Sequence, residues 1–174
     1  MVLDTLATYL NIDKGALLAP LSVMASSILG AAIAMYTIYT HRKNLKLKNS
    51  MDFIDNFNKS ELIGIALVEV NKMHSKTDTQ IQEHAQNVDC DEYKYIRTVL
   101  NFFESMAICI SRDIYDDTII KEAVFTTVTN TWRTCKPFVE HRRKEKNNKT
   151  FFQELENLCL RWESKPLKSK LKSK

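Results

Sequence analysis

Leu17–Tyr39, LLAPLSVMASSILGAAIAMYTIY, contains no charged side chain. About 20 apolar residues at 1.5 Å each cross a hydrocarbon core of about 30 Å as one helix. A helix is also the conformation that satisfies its own backbone groups in lipid. The run therefore predicts a single transmembrane helix over residues 17–39. Pro20 lies near its start, where the ladder suffers least. Ser26, Gly30 and Ala34 follow one another at four-residue steps, a small-xxx-small face on which two copies would approach closely. The plainer reading is that Ser, Gly and Ala are common in membrane helices. Tyr36 and Tyr39 lie towards the far end, where amphipathic rings favour the interface.

The flanks set the direction. Asp4, Asp13 and Lys14 precede the run, and His41, Arg42, Lys43, Lys46 and Lys48 follow it. Basic residues stay on the cytoplasmic side. The expected topology therefore has residues 1–16 as a short external tail and everything after the span in the cytoplasm. Arg42, Lys43, Lys46 and Lys48, in a juxtamembrane segment over 40–49, are then expected at the lipid surface, each gaining about 1 kcal/mol from an anionic leaflet. A cleaved signal peptide is the rival reading, with Ala32-Ile33-Ala34 as the cleavage mimic. The leading segment has no basic n-region, and the basic cluster follows the apolar run rather than preceding it. The stretch LDTLATYL (Leu3–Leu10) would lie on the membrane surface as a turn or two of amphipathic helix.

Beyond the span, about 125 residues are enough for one small core. Three Gly and three Pro in the chain disfavour a hairpin-rich fold. The net charge of +4 is segregated. Residues 49–140 carry 9 basic against 15 acidic groups, whereas 141–149 and the stretch after Ser164 are basic. An acidic body with basic ends is unlike a nucleic-acid face, and no aromatic residues interleave the basic runs to stack bases. Nucleic acid is accordingly not an expected partner. Cys90, Cys109, Cys135 and Cys159 are widely spaced, with no C-x-x-C pair, and read as free thiols in a reducing compartment. The four His are far apart, so no zinc site or other cofactor is expected.

Residues 50–164 read as a bundle of four to six helices. Asn58 and Glu61 have capping-box spacing ahead of ELIGIALVEVNKM, an apolar run that fits a helix better than a buried strand. Ser75–Asn87 is polar and weakly periodic and reads as a linker or an exposed helical turn. In Asp91–Ser111, Tyr93, Ile96, Val99, Leu100, Phe103, Met106, Ala107 and Ile110 recur at three- and four-residue steps, one buried stripe of a helix. Asp116 or Asp117 opens the next helix, with Ile120, Ala123, Val124, Val128 and Trp132 inward. Pro137 is expected to end or kink it and to start PFVEHRRKEK. Thr150 and Gln153 suggest a second capping box, opening a helix with Phe151, Phe152, Leu155, Leu158, Cys159 and Trp162 on one face. Residues 165–174 read as a disordered basic tail. The fold class is thus all-α, one N-terminal transmembrane helix followed by a small cytoplasmic bundle.

No P-loop, dinucleotide, zincin or nucleophile-elbow motif is present. Asp113, Asp116 and Asp117 suit a divalent cation or helix capping, and capping is preferred. Glu104 reads as an edge-of-stripe acid paired with an Arg. His141, Arg142 and Arg143 form a mixed polar patch available to a partner, the default being a solvated charged turn. The C-terminal half, LNFFESMAICISRDIYDD (Leu100–Asp117), NTWRTCKPFVEHRRKEKN and TFFQELENLCLRW, resembles an uncharacterised family of small bacterial and prophage-borne proteins with one N-terminal membrane helix and an all-helical cytoplasmic domain. Phe102-Phe103-Glu104, Ile114-Tyr115-Asp116 and Trp162 occupy its recurrent elements. The resemblance supplies no catalytic residues. By association it implies a bacterial inner membrane and a role in phage–host or phage–phage conflict. The anchor, the charge topology, the compact bundle and the missing catalytic motifs then point to a non-enzymatic protein that binds a protein partner at that membrane, to exclude or abort infection or to restrain a partner toxin. The alternative is a membrane-permeabilising effector that self-associates through Ser26, Gly30 and Ala34 as a homo-oligomer.

Overall fold

A computed structural model describes residues 14–167, with side chains from residue 23 onward. Six α-helices and a short 3-10 turn make up the described residues, with no strand among them. They are α1 (Lys14–Lys59), α2 (Glu61–Lys72), α3 (Asp78–Gln86), α4 (Asp91–Ser111), α5 (Asp117–Glu145) and α6 (Gln153–Ser164), with the 3-10 turn at Met73–Ser75. The all-helical expectation holds. Of the expected external tail, only 14–16 are described, and they are helical. The expected surface helix at 3–10 and most of the basic tail lie outside the described residues.

The chain divides into two units, Met1–Leu45 and Lys46–Lys174. In the first, the described side chains are exposed almost throughout. The second is built on α4. Its eight buried side chains are those of the predicted stripe, from Tyr93 to Ile110. Burying each large one stabilises by about 1.5–3 kcal/mol. α4 packs on α2, α5 and α6, and α5 packs on α2, α3 and α6. The last turns of α1 add Phe53 and Phe57, whose rings stack on Phe102 at 5.3 and 5.8 Å.

Several helix ends differ from the sequence expectation. Ser60, not Asn58, caps α2, its hydroxyl accepting from the Ile63 N–H, because α1 continues through Asn58 to Lys59. Residues 78–86 form a helix, the second of the two expected readings, but one of more than two turns and not wholly exposed. A capping box in which Thr77 and Gln80 satisfy each other opens it, and Ile81 and Ala85 anchor it in the core. Pro137 neither ends nor starts a helix, since α5 runs through it as one helix of 29 residues. The ring is buried between Cys135 and Phe138, so packing offsets the lost N–H bond. Ala123, expected inward, is exposed.

Thr150 does not cap α6. Its hydroxyl bonds Asn148 instead, and Phe152 stands at the N-cap in the left-handed region, φ 56°, with its ring buried. Asp113 and Asn147 also have positive φ. Each follows a helix whose last carbonyls are closed by the next N–H groups: Asp113 N–H to Ile110 and Ile114 N–H to Cys109, then Asn147 N–H to Lys144 and Asn148 N–H to Arg143. This is the Schellman ending, here with Asp and Asn in the place glycine usually takes.

Candidate functional site

In the first unit, Val23, Ile28, Leu29, Ile33 and Tyr36 are each 58–70% exposed. That is a continuous apolar surface of the kind that marks contact with a membrane or another protein. The hydroxyls of Ser26, Ser27, Thr37 and Thr40 turn back onto carbonyls three or four residues earlier, at 2.8–3.0 Å. They need no outside partner, which suits an apolar surrounding. Ser26, Gly30 and Ala34 lie exposed, and a Cβ added at Gly30 would meet nothing within 4 Å. This helix is long and apolar enough to cross a membrane.

The basic residues after it separate into two kinds. Arg42, Lys43 and Lys48 are exposed, whereas Lys46 donates to Asp113 at 2.5 Å. That hydrogen bond raises the Lys46 pKa above its ordinary value. Beside it, the buried Ser50 hydroxyl donates to the Lys46 carbonyl and accepts from the Asp116 N–H at 2.7 Å. The α4–α5 turn is thereby tied to the end of α1. The acidic trio is used in the same structural way. Asp116 caps α5 by accepting from the Thr118 and Ile119 N–H groups. Asp117 accepts from the Trp162 indole N–H at 2.8 Å and from Arg161 at 2.9 Å.

The patch expected at His141, Arg142 and Arg143 is not a freely solvated turn. It is the last turn of α5, and all three residues are partly buried. Arg142 lies over the Tyr93 ring at 5.6 Å and pairs with Glu145. Arg143 donates to the Phe151 carbonyl at 2.9 Å and to Glu156 at 2.7 Å, binding α5 to α6. Its Nη2 is buried with no hydrogen-bond partner among the described residues. Glu104, expected to pair with an Arg, is held instead by a helix end. Its carboxylate accepts from the Glu154 N–H at 3.3 Å and the Leu155 N–H at 2.7 Å, doing for α6 what no local residue does. Desolvation raises the Glu104 pKa, partly opposed by these two bonds and by the Arg143 charge.

Two further features were not foreseen. On α2, Leu62, Ile65 and Val68 are exposed while Ile63, Ala66 and Val70 are buried. Ile65 and Val68 line an open groove of about 430 Å³ with Lys59, Glu61, Gly64 and Glu69. By contrast, the depression between α4 and α6 at Ala107 and Leu158 holds about 120 Å³, less than the ~300–1,000 Å³ of common ligand pockets. At the α3–α4 junction the fold gathers His84, Cys90 and Glu92, with one ligand atom of each lying within 4.8 Å of the others. The sequence signal for this cluster was the overlooked Thr77–Gln80 box, which turns 78–86 into a helix ending beside the α4 cap.

Comparison with curated proteins gives no match, and neither does comparison with solved structures. Residues 24–162 match the family described as "Domain of unknown function (DUF4760)". The match takes in the exposed apolar helix from Met24, the basic segment and the bundle as far as Trp162, so this chain belongs to the DUF4760 family.

Proposed function

We propose that the protein is a single-pass membrane protein whose helical domain acts in the cytoplasm by binding a protein partner, without catalysis. The observation that carries this reading is the apolar surface of Val23–Tyr39, exposed along its length and followed by Arg42, Lys43 and Lys48. The exposed strip Leu62–Ile65–Val68, rimmed by Lys59, Glu61 and Glu69, supports a protein partner rather than a small substrate. The setting we propose, phage–host conflict at a bacterial inner membrane, is supported by the family resemblance of the C-terminal half.

Fractionation of the full chain, with a reporter fluorescent only in the cytoplasm fused after Lys174, tests the topology. Carbonate-resistant membrane association with a fluorescent fusion is expected. Extraction into the soluble fraction, or a dark fusion, overturns the reading. Ile65→Asp tests the partner surface. It should abolish protection of expressing cells against infecting phage while leaving the protein folded and in the membrane. Full protection by Ile65→Asp removes α2 as the docking face.

The second reading is an effector that self-associates through Ser26, Gly30 and Ala34. It is favoured by the open surface at Gly30.

A further inference from the structure

We propose that His84, Cys90 and Glu92 form a zinc-binding site. Imidazole, thiolate and carboxylate are the three donor types that zinc takes in proteins. They come from the last turn of α3 and the first turn of α4, two elements fixed by their own caps and by the buried Ile81, Ala85 and Tyr93. Zinc bonds of about 2.0–2.3 Å place tetrahedral ligand atoms about 3.3–3.7 Å apart. The three ligand atoms lie within 4.8 Å of one another, so side-chain rotation of about 1 Å closes the set.

Two details bear on the donor atoms. The His84 Nε2 already faces a positive charge, the Lys76 ammonium at 3.0 Å. An ammonium only donates, so that ring nitrogen presents its lone pair. Zinc bound at Nε2 would displace Lys76 towards solvent. The second detail is Cys90, whose Sγ accepts from the Tyr93 N–H at 3.3 Å as the N-cap of α4. That bond orients the sulfur and persists on a metal-bound thiolate, the kind of outer support that zinc ligands carry.

Binding deprotonates the Cys90 thiol, with the proton passing to solvent. One thiolate and one carboxylate then neutralise the divalent ion. Three protein ligands leave the fourth position to water, an open rather than a closed site.

The test is titration of the detergent-solubilised full chain with Co²⁺, followed by displacement with Zn²⁺. One equivalent of Co²⁺ should give a near-ultraviolet thiolate-to-cobalt band that Zn²⁺ abolishes. The band should be lost in Cys90→Ser, which keeps a hydroxyl cap on α4, and in His84→Ala, which leaves every cysteine in place. Glu92→Gln should weaken Zn²⁺ at least tenfold, and Lys76→Met should tighten it. No band from the parent chain, a band surviving in either ligand variant, or unchanged affinity in Glu92→Gln overturns the three-donor site. Helical circular dichroism of each variant distinguishes lost binding from lost folding.

Discussion

Glu104 shows how much one carboxylate does here. It sits at the edge of the α4 stripe and accepts the Glu154 and Leu155 N–H groups, standing in for the absent side-chain cap of α6. Glu104→Ala leaves those donors unmet in a half-buried place and should cost about 1–3 kcal/mol, read from thermal unfolding followed by Trp132 and Trp162 fluorescence. Its pH dependence has a definite sign. Desolvation holds the folded pKa above the ordinary 4.5, so the folded chain binds more protons than the unfolded chain just above pH 4.5. Stability from this group is therefore complete below that pH and falls as pH rises through the raised value. Glu104→Gln should flatten that decline, and an unchanged profile would remove Glu104 as its source. The thiols give a second residue-scale prediction. Burial pushes Cys135 and Cys159 up to about 12, so iodoacetamide at neutral pH should spare both in the folded chain and modify them once it unfolds. The inward place of Cys159 was legible from helical spacing. The partner of Glu104 was not, because it lies fifty residues away, on a helix end that only the tertiary fold brings near.

At the scale of the element, periodicity was the readable signal and capping the treacherous one. The α4 stripe was legible residue by residue, since eight apolar side chains repeat with the helical period and nothing else explains the pattern. Caps rest on two or three residue types that recur by chance. Asn58–Glu61 and Thr150–Gln153 both have the spacing, yet neither starts a helix. At 58 the preceding helix overrides it, and at 150 the hydroxyl is taken by Asn148. Thr77–Gln80 had the same spacing and is the box that forms. As a helix end, Pro137 misled for the complementary reason: a breaker in isolation is tolerated when Cys135, Phe138 and Val139 around it are buried. The distinction can be measured. Ser60→Ala should destabilise the bundle by about 1 kcal/mol in chemical denaturation, while Asn58→Ala should leave the midpoint where it was. The reverse result would move the start of α2 back to Asn58.

On the scale of the whole molecule, the two units differ in how they meet their surroundings. The bundle buries a core of large side chains and ties its helix ends with Arg143–Glu156, Asp117–Trp162 and Ser50–Asp116. Lys121 adds a bond to the Lys165 carbonyl. The first unit buries none of its described side chains from Val23 to Tyr39, so its fold is completed by what surrounds it. Lipid alone would do this, and so would a second copy. Gly30 separates the two. Its Cβ position is open within one chain, so Gly30→Leu should leave bundle stability and membrane insertion unchanged. Two helices packed on the Ser26–Gly30–Ala34 face, however, approach only as closely as their smallest residue allows. Energy transfer between donor- and acceptor-labelled copies in one membrane should then fall to the level of random encounters in Gly30→Leu. Any toxicity on expression should vanish with it. Transfer at the random level already in the parent chain leaves the helix a lone anchor surrounded by lipid. Toxicity that survives Gly30→Leu ends the effector reading.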